Sequence, residues 1–168
     1  MAAIPSPDPP WTLPVTTPTL EELLAQEATI ALKSFDYATA WQIGAAIQKR
    51  AAEEKLPIGI EVTHGATPVF LALMPGSTPD NLDWVRRKRE VALRFHHSSL
   101  YMRLLCETQG VDFHARYRLP HEDFAASGGG VPIFIENVGV VGAASVSGLP
   151  NVEDHRLVIE ALKPLVAK

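Results

Sequence analysis

The sequence predicts an α+β domain in which an antiparallel sheet is covered by helices. Three observations carry this. Segments of strand character come as neighbouring pairs, Ile58–Val62 with Pro68–Met74 and Val131–Glu136 with Val140–Ser147, each pair joined by a short turn. Segments of helical period lie before, between and after those pairs, so repeated βαβ units and a doubly wound parallel sheet are not expected. The chain has 168 residues, 46% hydrophobic and 20% charged, enough to bury one core without disulfides or metals.

The elements follow in order. Pro5, Pro7, Pro9, Pro10, Pro14 and Pro18 keep residues 1–18 out of helices and ladders, and this stretch is expected to be a flexible tail ahead of a single domain over 19–168. Thr19 and Glu22 fit a capping box for a first helix with Leu20, Leu23, Leu24 and Ala28 on its stripe. A second helix starts near Ser34 or Asp36, buries Ala40, Ile43, Gly44 and Ile47, and is closed by Pro57. Gly44 inside it costs helix stability, which points to close packing against another element. His64-Gly65 turns the first hairpin, and Asp80 or Asn81 caps a helix running to Phe95. Ser98 caps the next, with Leu100, Leu104 and Leu105, up to Gly110. Val111–Ala126 has no clean period. Gly128-Gly129-Gly130 makes a sharp corner, Asn137-Val138-Gly139 joins the second hairpin, and Asn151 caps the last helix, with Glu153 and Asp154 in its first turn.

Composition narrows the function classes. A net charge of −4 gives no general reason to bind nucleic acid or an anionic membrane, and no run approaches the roughly 18 apolar residues of a spanning helix. The one cysteine, Cys106, allows no internal disulfide and suits a reducing, cytoplasmic location. No zinc, P-loop or serine-hydrolase spacing is present, so no metal site and no catalytic residue are assigned.

Some polar residues are poorly explained by packing. Lys88 shares a helical stripe with Trp84, Val91 and Phe95, and a charge on such a stripe needs a partner, whether a ligand carboxylate, the Trp84 ring or solvent. Arg86, Arg87 and Arg89 are expected on a solvated face. Gly128, Gly129 and Gly130 could present N–H groups to an anion or form only a tight corner. His155 lies on the stripe of the last helix near Ser145 and Ser147, but Asp154 beside it faces elsewhere, so a cap for Asp154 and a loop hydrogen bond for His155 are expected instead of a triad. His96-His97, His114 and His121 could ligate a metal or haem iron, although neighbouring histidines point apart on regular structure.

N-x-x-W-x-x-R-K from Asn81 to Lys88, Ser98-Ser99, G-G-G-V-P-I from Gly128 to Ile133 and V-S-G-L-P-x-x-E-D-H from Val146 to His155 together resemble the haem-degrading, GlcG/HbpS-like, domain family. The resemblance covers most of the chain beyond the tail, and lies nearest a branch of small uncharacterised cytosolic proteins. It implies a profilin-like fold of α/β/α layers with an antiparallel or mixed five-stranded sheet, and oligomers built from dimers. It also implies a histidine before the double glycine, as A-x-H-G-G; this chain has Ser127 there, so a function resting on that histidine is not expected of it.

The leading expectation is a cytosolic homo-oligomer that binds a small anionic ligand bearing carboxylate or phosphate. Its pocket would be lined by Trp84, Lys88, Ser127, Gly128, Gly129, Gly130, Ser147, Asp154 and His155. Two alternatives stand beside it: haem binding or breakdown, haem being the cofactor that the resemblance implies, and a non-enzymatic interaction scaffold.

Overall fold

The computed structural model describes residues 15–167, so most of the Pro-rich tail, with Trp11 and Leu13, lies outside the described residues. The elements are α1 (Leu20–Glu27), α2 (Tyr37–Glu54), β1 (Gly59–His64), β2 (Thr67–Leu73), α3 (Pro79–Phe95), α4 (Ser99–Thr108), α5 (Phe113–Tyr117), β3 (Gly130–Ile135), β4 (Gly139–Ser147) and α6 (Asn151–Leu162). The strands form one antiparallel sheet in the order β2-β1-β4-β3. Four strands are found among the described residues, not five. Beyond β3 the edge is met by Leu32 alone, bridged to Ile135 and to Val166.

The two sheet faces differ in chemistry. Ile60, Val62, Val131, Ile133, Ala144 and Val146 alternate onto one face, which α2 and α6 cover with Ala40, Ile43, Ile47, Leu157, Val158 and Leu162. Gly44 lets α2 lie close, since a Cβ there would sit 2.2 Å from the Phe70 ring. The other face carries Glu61, Thr63, Gly130, Ala143 and Ser145, and α3 lies over it with α4 at its flank. A second, smaller core of Val91, Met102, Cys106 and Phe113 packs with Phe95, Tyr117, Leu119 and Phe124. It accounts for the missing period in Val111–Ala126, whose aromatics enter that core one at a time around the short α5.

Two caps differ from expectation. α3 begins at Pro79, because a missing N–H costs nothing at the first helical position. Asn81 then reaches back, its Oδ1 accepting from the Thr78 N–H at 2.8 Å. Asn151 is itself the first residue of α6 and its side chain turns away to the glycine corner. Asp154 serves the helix entrance instead, accepting from the N–H of Leu149 at 3.0 Å and of Gly148 at 3.3 Å.

Candidate functional site

The side of α3 that faces the sheet carries Val85, Lys88, Arg89 and Ala92, all buried. Two cations therefore stand over the polar face. Arg89 is 8% exposed and donates to Glu61 Oε1 at 2.8 Å. This corrects the expectation of a solvated arginine. Burial raises the pKa of Glu61, with the Arg89 charge pulling against it.

Lys88 is 2% exposed and Asp154 1%, so neither reaches solvent. Lys88 Nζ donates to Asp154 Oδ2 at 3.0 Å and to Val146 O at 3.1 Å. Burial lowers the pKa of Lys88, and pushes Asp154 up to about 6 while the Lys88 charge holds it back. With the two N–H groups of Gly148 and Leu149, the ammonium forms a cradle whose anion is the protein's own carboxylate.

The glycine corner closes onto this pair. Gly129 has φ +125°, and a Cβ there would lie 2.3 Å from Val146 O and 3.1 Å from Lys88 Nζ. A Cβ at Gly130 would meet Lys88 O at 2.5 Å. The Gly128 N–H donates to Asn151 Oδ1 at 3.0 Å, and the Gly130 N–H to Ser99 Oγ at 2.9 Å. Ser127 Oγ donates to the same Asn151 oxygen, and Ser99 Oγ to Ser127 O at 2.6 Å. The structure thus gathers Lys88, Ser127, Gly128, Gly129, Gly130 and Asp154 in one network that ties α3, α4 and the start of α6 to the sheet.

Three other expected site residues stand apart from that network. Trp84 is 36% exposed, and its cation partner is Arg87, 4.2 Å from the ring centroid, not Lys88. Ser147 is buried and its carbonyl accepts from Asn81 Nδ2 at 3.3 Å. His155 is bound through Nε2 to the Gln26 side chain at 2.6 Å and not to a loop backbone. Burial pulls its pKa down to about 4, so the ring is neutral.

A second arrangement lies at the far edge of the sheet. A groove of about 520 Å³ runs between α1, the end of α3 and the β3–β4 turn. Its apolar wall is Leu24, Ala28, Ala31, Phe134, Ile135 and Val138, and His96, His97, Glu27, Asn137 and Gly139 complete it. The two histidines line the same groove because His96 leaves α3 in the left-handed conformation, φ 55°, where helical geometry no longer sets them apart. His97 Nδ1 lies 2.6 Å from Glu27 Oε2, and Glu27 Oε1 accepts from the Ser98 N–H at 2.7 Å. Sequence reasoning missed Glu27. Its signal was there: Leu23, Glu27 and Ile30 stand at i, i+4 and i+7 on the buried side of the chain leaving α1. Among the described residues no group of three or more His, Cys, Asp or Glu could hold a metal ion, and no helix is long and apolar enough to cross a membrane.

Residues 35–163 match a family model described as "Haem degrading protein HbpS-like". A "UPF0303 protein" of Rhizobium rhizogenes is 45% identical over 143 residues, covering 85% of this chain and 88% of that one. Among solved structures, that of the Ybr137w protein superposes with a TM-score of 0.80 at 29% identity, covering 89% of this chain and 88% of the other. The structure of a PduOC haem complex superposes at 0.67 and 14% identity, over 80% of this chain and 97% of that one, a likeness of fold alone.

Proposed function

Since the chain belongs to the HbpS-like family of haem-degrading proteins, we propose that it is a cytosolic, self-associating protein that binds haem, a small ligand that itself bears two carboxylates. The observation that carries this reading is the α1–hairpin groove. Its volume falls within the ~300–1,000 Å³ of small-molecule sites, its wall is apolar with a few converging polar groups, and imidazoles stand beside that wall. Such a donor set suits a planar apolar group with an iron at its centre. The PduOC haem complex shows that a chain of this fold can hold haem. When bound, the group would supply redox-active iron, while this chain's residues would bind and orient it. Self-association is supported by Tyr37, Trp41, Leu71 and Leu73, apolar side chains left exposed on α2 and on edge strand β2. Titration of the purified protein with haemin is the test. A shifted Soret band saturating at about one haem per chain is expected; free-haemin spectra throughout would end this reading.

The competing reading places a carboxylate or phosphate ligand at the Lys88 cradle. In its favour, the Lys88 ammonium and the two backbone N–H groups already hold a carboxylate, that of Asp154. An outside anion has to take the place of Asp154 there. Calorimetric titration with small carboxylates and inorganic phosphate tests it: heat lost in Lys88→Ala supports the cradle, and no heat in the native protein removes it.

A further inference from the structure

We propose that His97 is the iron-ligating side chain of this groove and Glu27 its positioning residue, an inference that rests on the haem reading above. Glu27 is a carboxylate only 8% exposed, on an otherwise apolar stripe, and capping alone does not require it, because Ser98 already caps α4 through its own hydroxyl. Its two oxygens are used separately, one by the Ser98 N–H at 2.7 Å and one by His97 Nδ1 at 2.6 Å. The first bond fixes the carboxylate to the start of a helix. The second, to a carboxylate that can only accept, makes Nδ1 the donor and leaves Nε2 as the nitrogen that a metal can take.

Nε2 is the ring nitrogen of His97 with no protein partner among the described residues. An imidazole whose other nitrogen donates to a carboxylate is the arrangement that orients metal-ligating histidines and strengthens them as donors. The ring is also held in place by Tyr101, stacked at 4.5 Å with an interplanar angle of 30°. Across the groove, Phe134, Ile135 and Val138 offer apolar surface against which a macrocycle could lie. Val138 is 71% exposed at the tip of the β3–β4 turn, a large apolar side chain with no packing role of its own. His96 lines the same groove, but no carboxylate orients it.

The experiment uses the full chain, haemin and three variants. Native protein is expected to give a shifted Soret band, and His97→Ala to weaken haem binding at least tenfold with loss of the native spectrum. Added imidazole should restore that spectrum in His97→Ala, which separates a lost ligand from a lost fold. Glu27→Gln keeps an acceptor for Ser98 but removes the charge, so it should retain haem with a raised ferric/ferrous midpoint. His97→Gln, closer in size, should behave as His97→Ala does. If native protein binds haem and His97→Ala binds it with unchanged affinity and spectrum, the assignment of His97 falls while the haem reading stands. If imidazole fails to restore the spectrum, or the midpoint of Glu27→Gln is unmoved, the His97–Glu27 pairing is overturned. A groove filled by the N-terminal segment or by a second copy would leave haemin spectra unchanged with native protein, and both readings would fall.

Discussion

Replacing Lys88 by methionine removes a charge but keeps most of the volume of the side chain, and so isolates the ion pair under α3. At 3.0 Å the attraction between Lys88 and Asp154 is ~5 kcal/mol at an effective dielectric of about 20. The cost of burying both groups offsets most of it, so the pair contributes little net stability against an apolar pair of the same shape. Breaking it is different. Lys88→Met leaves Asp154, 1% exposed, without its counter-charge, and such a loss costs ~3–5 kcal/mol out of the ~5–15 that hold a domain together. Asp154→Asn alone should cost a similar amount, and Lys88→Met with Asp154→Asn less than the sum by ~2 kcal/mol or more. Urea unfolding at pH 7 with linear extrapolation reads all four corners of the cycle. Acid adds a second readout. In the native protein the folded pKa of Asp154, about 6, lies above the unfolded 3.8, so the folded state holds that proton more tightly. Its contribution is therefore present below about 4 and is lost as pH rises to about 6, ~3 kcal/mol in all. Without Lys88 the folded value climbs further, so Lys88→Met should lose less at pH 5 than at pH 7. A coupling near zero, or a loss independent of pH, would refute the account of this network.

The remaining predictions concern neighbouring groups. Gly129→Ala forces a side chain onto a φ of +125° and against Val146 O, and a loss of at least ~2 kcal/mol should lower the melting temperature by roughly 4–8 °C; an unchanged melt contradicts the close approach. His155 works in the opposite sense to Asp154. Its folded pKa, about 4, lies below the unfolded 6.5, so its contribution is present above 6.5 and is lost as pH falls toward 4, again by ~3 kcal/mol. The two slopes oppose each other in the native chain, so His155→Met should become more stable, relative to native, as pH drops from 6.5 to 4; parallel stability curves would contradict this. Burial raises the pKa of the Cys106 thiol, so a thiol reagent at pH 8 should label the protein only after unfolding, and mass spectrometry reads it directly.

The strand pairs, the glycine corner and the tight packing at Gly44 were legible because each depends on a local signal: alternation, a run of glycines, a glycine inside a helix. What was not legible depended on distant partners. Arg89 resembles any solvent-facing arginine until β1 brings Glu61 beneath it, and Glu61 itself sits where alternation with Ile60 and Val62 suggests an exposed face. Asn151 is the right residue type for a cap, yet the corner 23 residues earlier claims its side chain. The histidine pair failed for a more local reason. Helical geometry sets neighbouring side chains apart, but His96 has already left the helix at a positive φ, and both histidines line one groove.

The unequal faces of the sheet explain why the two candidate regions differ in kind. Under α3 each buried cation has a carboxylate partner, and a Cβ at Gly129 or Gly130 would collide with Val146 O or Lys88 O; such a network fixes the height of a helix above a sheet. It therefore responds to substitution chiefly through stability. At the other end, beyond β3, the sheet stops at the bridge of Leu32, itself bridged to Val166, and α1 and the α3–α4 junction stand beside that edge. A groove results where one strand fewer covers the edge, and the polar groups lining it, His96, His97 and Glu27, come from elements that the core does not need for those residues. A substitution there should change what the protein binds more than whether it folds. Comparing ligand affinity with melting temperature for His97→Ala and Lys88→Met tests that division: each variant should move a different quantity, and two variants moving both together would merge the regions into one.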